Sequence, residues 1–153
     1  MNAWLVRAGD DNSLIDFFWT NKVVAIGWPE MPDTTSLTDR DSYKNAYIKA
    51  YPAYSSRRIN VNSGQIYRFE KEIKETDYIL TFNKISREYS VGKFISNAYY
   101  DSTKNHQYPR LINVESIGKL NRSLLSAESQ NSFGSVLTVF SITGEDCNTH
   151  NSF

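Results

Sequence analysis

Tyr78-Ile79-Leu80-Thr81-Phe82, then residues 89–99 running through Gly92, then residues 110–114, read as three strands in succession with no helical stretch between them. Aromatic and β-branched residues recur in these runs, as they do in pleated, half-buried strands. Parallel doubly wound sheets need a helical crossover between successive strands, so this order excludes them. Upstream, Trp4-Leu5-Val6 is a short apolar run ending at Arg7-Ala8-Gly9, a first strand. Asp10-Asp11-Asn12-Ser13 then offers helix N-cap candidates, and Leu14, Phe17 and Phe18 give one apolar helical face. Val23-Val24-Ala25-Ile26-Gly27-Trp28 reads as a buried strand stopped by Pro29. From Thr38 the pattern is helical, with Tyr43, Ala46, Tyr47 and Ala50 on one face, ending before Pro52. A third helix is expected to begin near Asn62-Ser63-Gly64, turning Ile66, Phe69 and Ile73 inward. Residues 123–131 suggest a short helix, and residues 136–142 a closing strand. The expectation is an α+β fold with a curled, mostly antiparallel sheet covered by helices. It forms one domain over residues 1–143, followed by a polar tail over 144–153, without internal repeats or a dividing linker.

The totals narrow the function. Seventeen basic residues balance seventeen acidic ones, so no net positive field draws the chain onto a polyanion. A nucleic-acid role then needs a local basic patch or a pocket that grips one nucleotide. Aromatic residues make up 14% of the chain, ten of them tyrosines, and serve either a core or base stacking. The single Cys147 has no disulfide partner within the chain, which fits a reducing cytoplasm. No apolar run approaches the length of a membrane span, so no membrane partner is expected.

Catalytic patterns are weak. Asp33 with Glu72-Ile73-Lys74 superficially matches a nuclease motif, but Glu72 and Lys74 fall in a helical pattern that makes their side chains diverge. His106, Cys147 and His150 are too sparse and irregular for zinc, and no phosphate-binding glycine loop occurs. No catalytic residue, metal or cofactor is expected.

Taken in order, Trp4-Leu5-Val6-Arg7-Ala8-Gly9, Val24-Ala25-Ile26-Gly27-Trp28, Gly64-Gln65-Ile66-Tyr67-Arg68-Phe69 and Asp77-Tyr78-Ile79-Leu80 resemble the N-terminal EVE-like domain of Mrr-type restriction systems. Val91-Gly92-Lys93-Phe94 with Tyr99-Tyr100, and Phe133-Gly134-Ser135-Val136-Leu137-Thr138-Val139-Phe140, continue the likeness over nearly the whole chain. The resemblance implies a PUA-like fold, a small twisted barrel flanked by helices and related to EVE and YTH domains. Such domains take a modified base out of its stack and hold it in an aromatic pocket, while a separate nuclease domain or subunit cuts. The pocket is implied between the end of the first strand, the Trp of the second strand and loops at the same barrel end. One departure is Thr76, where the family often has Gly before the aspartate.

The candidate site residues follow from this position and from their chemistry. Trp28 offers a stacking face, or caps the core. Arg7, Asp10, Asp11 and Asn12 supply donors and acceptors for a base edge, or cap a helix and pair among themselves. Ser63 and Gln65, flanking Gly64, offer close backbone approach and an amide for an adenine edge, or form a plain N-cap turn. Tyr99 and Tyr100, with Tyr108 and His106 nearby, make a second aromatic group, of which strand alternation turns at least one inward. Lys84, Arg87, Lys93, Lys104, Arg110, Lys119 and Arg122 are scattered, as on solvated faces. The leading expectation is a non-catalytic reader of modified DNA. The alternatives are an RNA-binding PUA-like domain and a protein-interaction domain whose aromatics are all structural.

Overall fold

The computed structural model describes residues 2–124 and 138–142. The elements are β1 (Ala3–Val6), a 3-10 turn (Asp10–Asn12), α1 (Ile15–Asn21), β2 (Val23–Ile26), α2 (Arg40–Ala50) and α3 (Ser56–Tyr67). A π-helical turn (Arg68–Glu72) prolongs α3, and β3 (Tyr78–Asn83), β4 (Glu88–Phe94), β5 (Tyr99–Tyr100), β6 (Arg110–Asn121) and β7 (Val139–Ile142) follow. The sheet order is β2-β6-β4-β3-β1-β7, with β5 also on β6. β1 and β3 pair in parallel across the long crossover through α1, β2, α2 and α3. The other described ladders are antiparallel. The architecture is therefore α+β, a curled mixed half-barrel covered by helices.

β6 produces much of the curl by serving two sets of partners. Its first residues, Arg110 to Asn113, pair with β2, whereas Val114 to Asn121 pair with β4. The β4 register shifts between Val91, opposite Gly118, and Gly92, opposite Ser116, leaving Ile117 as an extra residue. Such a bulge bends the strand and increases its twist. Gly92 is suited to the bend because a Cβ there would meet the Val114 Cβ at 3.2 Å.

Side-chain alternation sorts β1 and β3 onto two faces. Trp4, Val6 and Ile79 join Ile26, Ile112, Tyr43, Ile66 and Phe69 in the main core. Ala3, Leu5 and Leu80 join Tyr89, Val91 and Leu120 in a smaller cluster on the other face. Asp77 locks the entry to both strands. Its buried carboxylate accepts from Trp4 Nε1 at 3.0 Å, from the Asn2 amide at 2.9 Å and from the Lys74 amide at 2.9 Å.

Several boundaries differ from the sequence reading. α3 starts at Ser56, not near Asn62, because the Ser55 side chain accepts from the Arg58 amide and caps the helix one full turn and more upstream. Ser63, Gly64 and Gln65 are thus buried in the second half of the helix rather than opening it. β2 ends at Ile26, so Trp28 lies outside the strand. The expected strand over residues 89–99 is two strands, since the chain leaves β4 after Phe94 and the Ile95 amide crosses to the Asn113 carbonyl. β6 runs on to Asn121. β1 and β2 are not hydrogen-bonded neighbours: the curl brings them into contact, but β2 pairs with β6 and runs antiparallel to β1 when traced through the ladders. Of the expected helix over 123–131, residues 125–131 lie outside the described residues. The tail over 144–153 lies outside them too. Among the described residues no helix is long and apolar enough to cross a membrane.

Candidate functional site

Across three strands, Ile26 at the end of β2 pairs with Arg110 at the head of β6, and Arg110 pairs with Tyr100 of β5. Beyond Ile26 the chain passes close to the loop over residues 101–109. A Cβ on Gly27 would stand 3.5 Å from the Gln107 carbonyl oxygen and 3.5 Å from the Tyr108 ring. Trp28 follows with φ 59° and is half-buried against the core. A left-handed backbone costs a residue with a Cβ about 1–2 kcal/mol, and for a bulky side chain it is a genuine outlier.

Arg110 holds this conformation from beneath. The Met31 amide donates to the Trp28 carbonyl at 3.1 Å, closing a turn. Arg110 Nη2 donates to the Met31 carbonyl at 3.1 Å and the Pro32 carbonyl at 2.9 Å, fastening the turn to β6. The guanidinium lies 5.4 Å from the Tyr100 ring centroid. Its Nε and Nη1 have no hydrogen-bond partner among the described residues, although the side chain is buried. Burial pushes the Arg110 pKa down, opposed by Glu70, Tyr100, Tyr51 and Asp33 around it. Burial likewise pushes Glu70 up, opposed first by its hydrogen bond from Tyr43 and then by Arg110.

On the outer side of the turn, Tyr51 donates to Glu30 at 2.5 Å. That bond is the main cause holding the Glu30 carboxyl below its usual range. The turn therefore gathers aromatic faces (Trp28, Tyr100, Tyr108, Tyr51), a cation with unpaired donors and two exposed carboxylates, Glu30 and Asp33. A planar ring with donors and acceptors along its edge matches that set.

The sequence-predicted residues do not all converge here. Arg7, Asp10 and Asn12 line a polar cleft of about 440 Å³ beyond the end of β1, with Asp11, Lys84 and Arg122. Asn12 works there as a clamp: its Nδ2 donates to the Phe82 carbonyl at 2.9 Å and its Oδ1 accepts from the Lys84 amide at 2.7 Å. Asp11 pairs with Lys84, and both Asp11 and Asn12 have left-handed backbone. The expectation of one shared pocket is corrected accordingly, because β1 and β2 run in opposite directions and carry their ends apart. Gln65 faces β7 instead of a pocket. Its Oε1 accepts from the Thr138 amide at 2.6 Å and the Val139 amide at 3.2 Å. Ser63 is buried with its hydroxyl on the Asn60 carbonyl. Tyr99 donates to Asn113 at 2.6 Å and accepts from Lys104, so its hydroxyl is fully engaged. Tyr100 is the tyrosine of the pair placed beside the Trp28 turn.

A smaller cavity of about 120 Å³ lies under α1, among Phe18, Val24, Ile79, Gly92 and Val114, with a mainly apolar lining. The Asp-Glu-x-Lys pattern is dispersed: Glu72 pairs with Arg40 at 2.6 Å, and Asp33 accepts from the Thr35 amide and hydroxyl. Among the described residues no group of three or more His, Cys, Asp or Glu side chains is placed to hold a metal ion. Sequence reasoning missed Arg110, Glu70, Glu30 and Tyr51. A charged residue opening the apolar run Arg110-Leu111-Ile112 was the available signal for the first.

The fold and site define an α+β half-barrel with an aromatic turn stapled by a buried arginine. Residues 4–143 match the domain of unknown function DUF8426, and the chain belongs to that family. No curated protein matches the chain.

Proposed function

We propose that the protein is a non-catalytic reader of modified DNA that holds a flipped, modified base at the Trp28 turn. The observation that carries this reading is the left-handed backbone of Trp28, a strained large aromatic two residues beyond β2. Strain of this kind persists only where surroundings over-determine it, and it clusters at ligand sites. Here Arg110 supplies the restraint through the Met31 and Pro32 carbonyls. Trp28 provides the stacking face, Tyr100 and Tyr108 lie near the turn, and the exposed Glu30 and Asp33 carboxylates are available to the ring edge, while Arg110 stays buried and holds the turn in place. The order of motifs resembling EVE-like domains of Mrr-type restriction systems supports the same reading. On that likeness the fold is a PUA-like variant, and a separate nuclease domain or subunit does any cutting.

The test is a titration of the purified chain with matched DNA and RNA oligonucleotides, each methylated and unmethylated. Preference for methylated DNA supports the reading. Preference for RNA regardless of modification favours the RNA-binding alternative, and no binding to any of the four favours a protein-interaction domain.

A further inference from the structure

Residues 42–69 contain five basic side chains, Lys44, Lys49, Arg57, Arg58 and Arg68, and no carboxylate. The chain as a whole is neutral, so this is a marked segregation of charge. Solvated helix faces usually mix the two signs. The stretch covers α2 beyond its first two residues, Arg40 and Asp41, then the turn after it and α3, and the two helices pack against one another.

Five of the ten tyrosines fall in the same stretch. Tyr43 and Tyr47 are buried, but the series continues outward. Tyr51 stacks at 4.8 Å on Tyr47, and Tyr54 lies 5.7 Å from Tyr51 with 37% of its surface exposed. The Arg58 guanidinium sits 4.0 Å from the Tyr54 ring centroid. Lys49, Arg57 and Arg58 are exposed and form no ion pair among the described residues. α3 also begins here, without an acidic residue in its first turn, so its dipole adds positive potential.

Cations interleaved with exposed aromatic rings suit a single nucleic-acid strand, whose phosphates need neutralising and whose bases each have a stacking face. An acidic peptide would use the cations and leave Tyr54 without a role. The face is continuous with the Trp28 turn through Tyr51, whose hydroxyl donates to Glu30. We infer that the α2–α3 hairpin is a second nucleic-acid contact, binding the phosphodiester backbone through Lys49, Arg57 and Arg58 and stacking one unpaired base on Tyr54. This rests on the reader proposal for the identity of the strand as DNA. Its role is sequence- and modification-independent affinity, whereas Trp28 supplies selectivity.

The experiment uses the full chain and fluorescein-labelled single-stranded DNA, methylated and unmethylated, over a range of salt concentrations. The Arg57→Glu/Arg58→Glu variant is expected to bind both strands at least tenfold more weakly. Its salt slope should fall by about 1.4, since each single-strand phosphate contact contributes about 0.7. Tyr54→Ala should weaken both by roughly fivefold to a hundredfold. In each variant the methylated-to-unmethylated ratio is expected to stay at the wild-type value. Unchanged affinity and slope in folded variants would overturn the inference, as would a loss confined to an acidic polyglutamate probe. A wild type that binds DNA without preferring methylation, yet depends on Arg57 and Arg58, would support the hairpin contact and remove only the Trp28 reading.

Discussion

Arg110 Nε and Glu70 Oε2 lie 3.9 Å apart, both side chains almost wholly buried, with no hydrogen bond from that nitrogen. Glu70 instead accepts from Tyr43 at 2.7 Å and from Thr34 at 2.9 Å. Burial is the first cause of both pKa shifts, raising Glu70 and lowering Arg110, so desolvation outweighs the attraction across the gap.

A pH dependence follows. The folded-state pKa of Glu70 is raised, so folding takes up a proton between its unfolded pKa and its folded one. Its contribution to stability is greatest below the unfolded value near 4.5 and is lost as pH rises through the folded value. Wild type should therefore gain stability relative to Glu70→Gln on going from pH 7 towards pH 4.5, by at most about 1.4 kcal/mol per pH unit. Asp39 and Asp101, whose pKa values are lowered, slope the other way, but equally in both proteins. Urea unfolding at several pH values checks this, and parallel curves for the two proteins would contradict it.

Gln65 is a structural residue in this account. Gln65→Leu leaves the Thr138 and Val139 amides without their acceptor, at a cost of roughly 1–3 kcal/mol for each buried group left unsatisfied. The expected outcome is a lower melting temperature and faster hydrogen exchange at those two amides, with the preference for methylated DNA unchanged. A folded variant that loses only that preference would return Gln65 to the base-reading set.

Much of the sheet was legible because alternation is local: Trp4 and Val6 against Ala3 and Leu5 announce a two-faced strand by themselves. The far half of β6 was not, since Glu115, Ser116 and Lys119 are exposed and are strand only by pairing with β4. The start of α3 was hidden because its cap, Ser55, precedes a polar stretch in which Ile59 is the first buried residue. At the site, Trp28 was visible as a residue but its conformation was not. The constraint on it comes from Arg110, 82 residues further along the chain, gripping two backbone carbonyls. Arg7 and Trp28 read as partners only while the strand directions were unknown. The basic run over residues 42–69 stood in the sequence throughout. Its two halves are brought together only when α2 packs on α3.

The most direct measurement is the ratio of dissociation constants for unmethylated and methylated DNA in wild type and in Trp28→Gly, with the melting temperature of each. Glycine adopts the observed φ of 59° without strain, so the substitution removes the ring while relieving the backbone, and the fold should survive. Methylated DNA is expected to lose about fivefold to a hundredfold in affinity, corresponding to a stacking contribution of roughly 1–3 kcal/mol, while unmethylated DNA changes little. Trp28→Phe should recover part of the difference. A folded Trp28→Gly protein that keeps the wild-type ratio would contradict the claim that this turn reads the base.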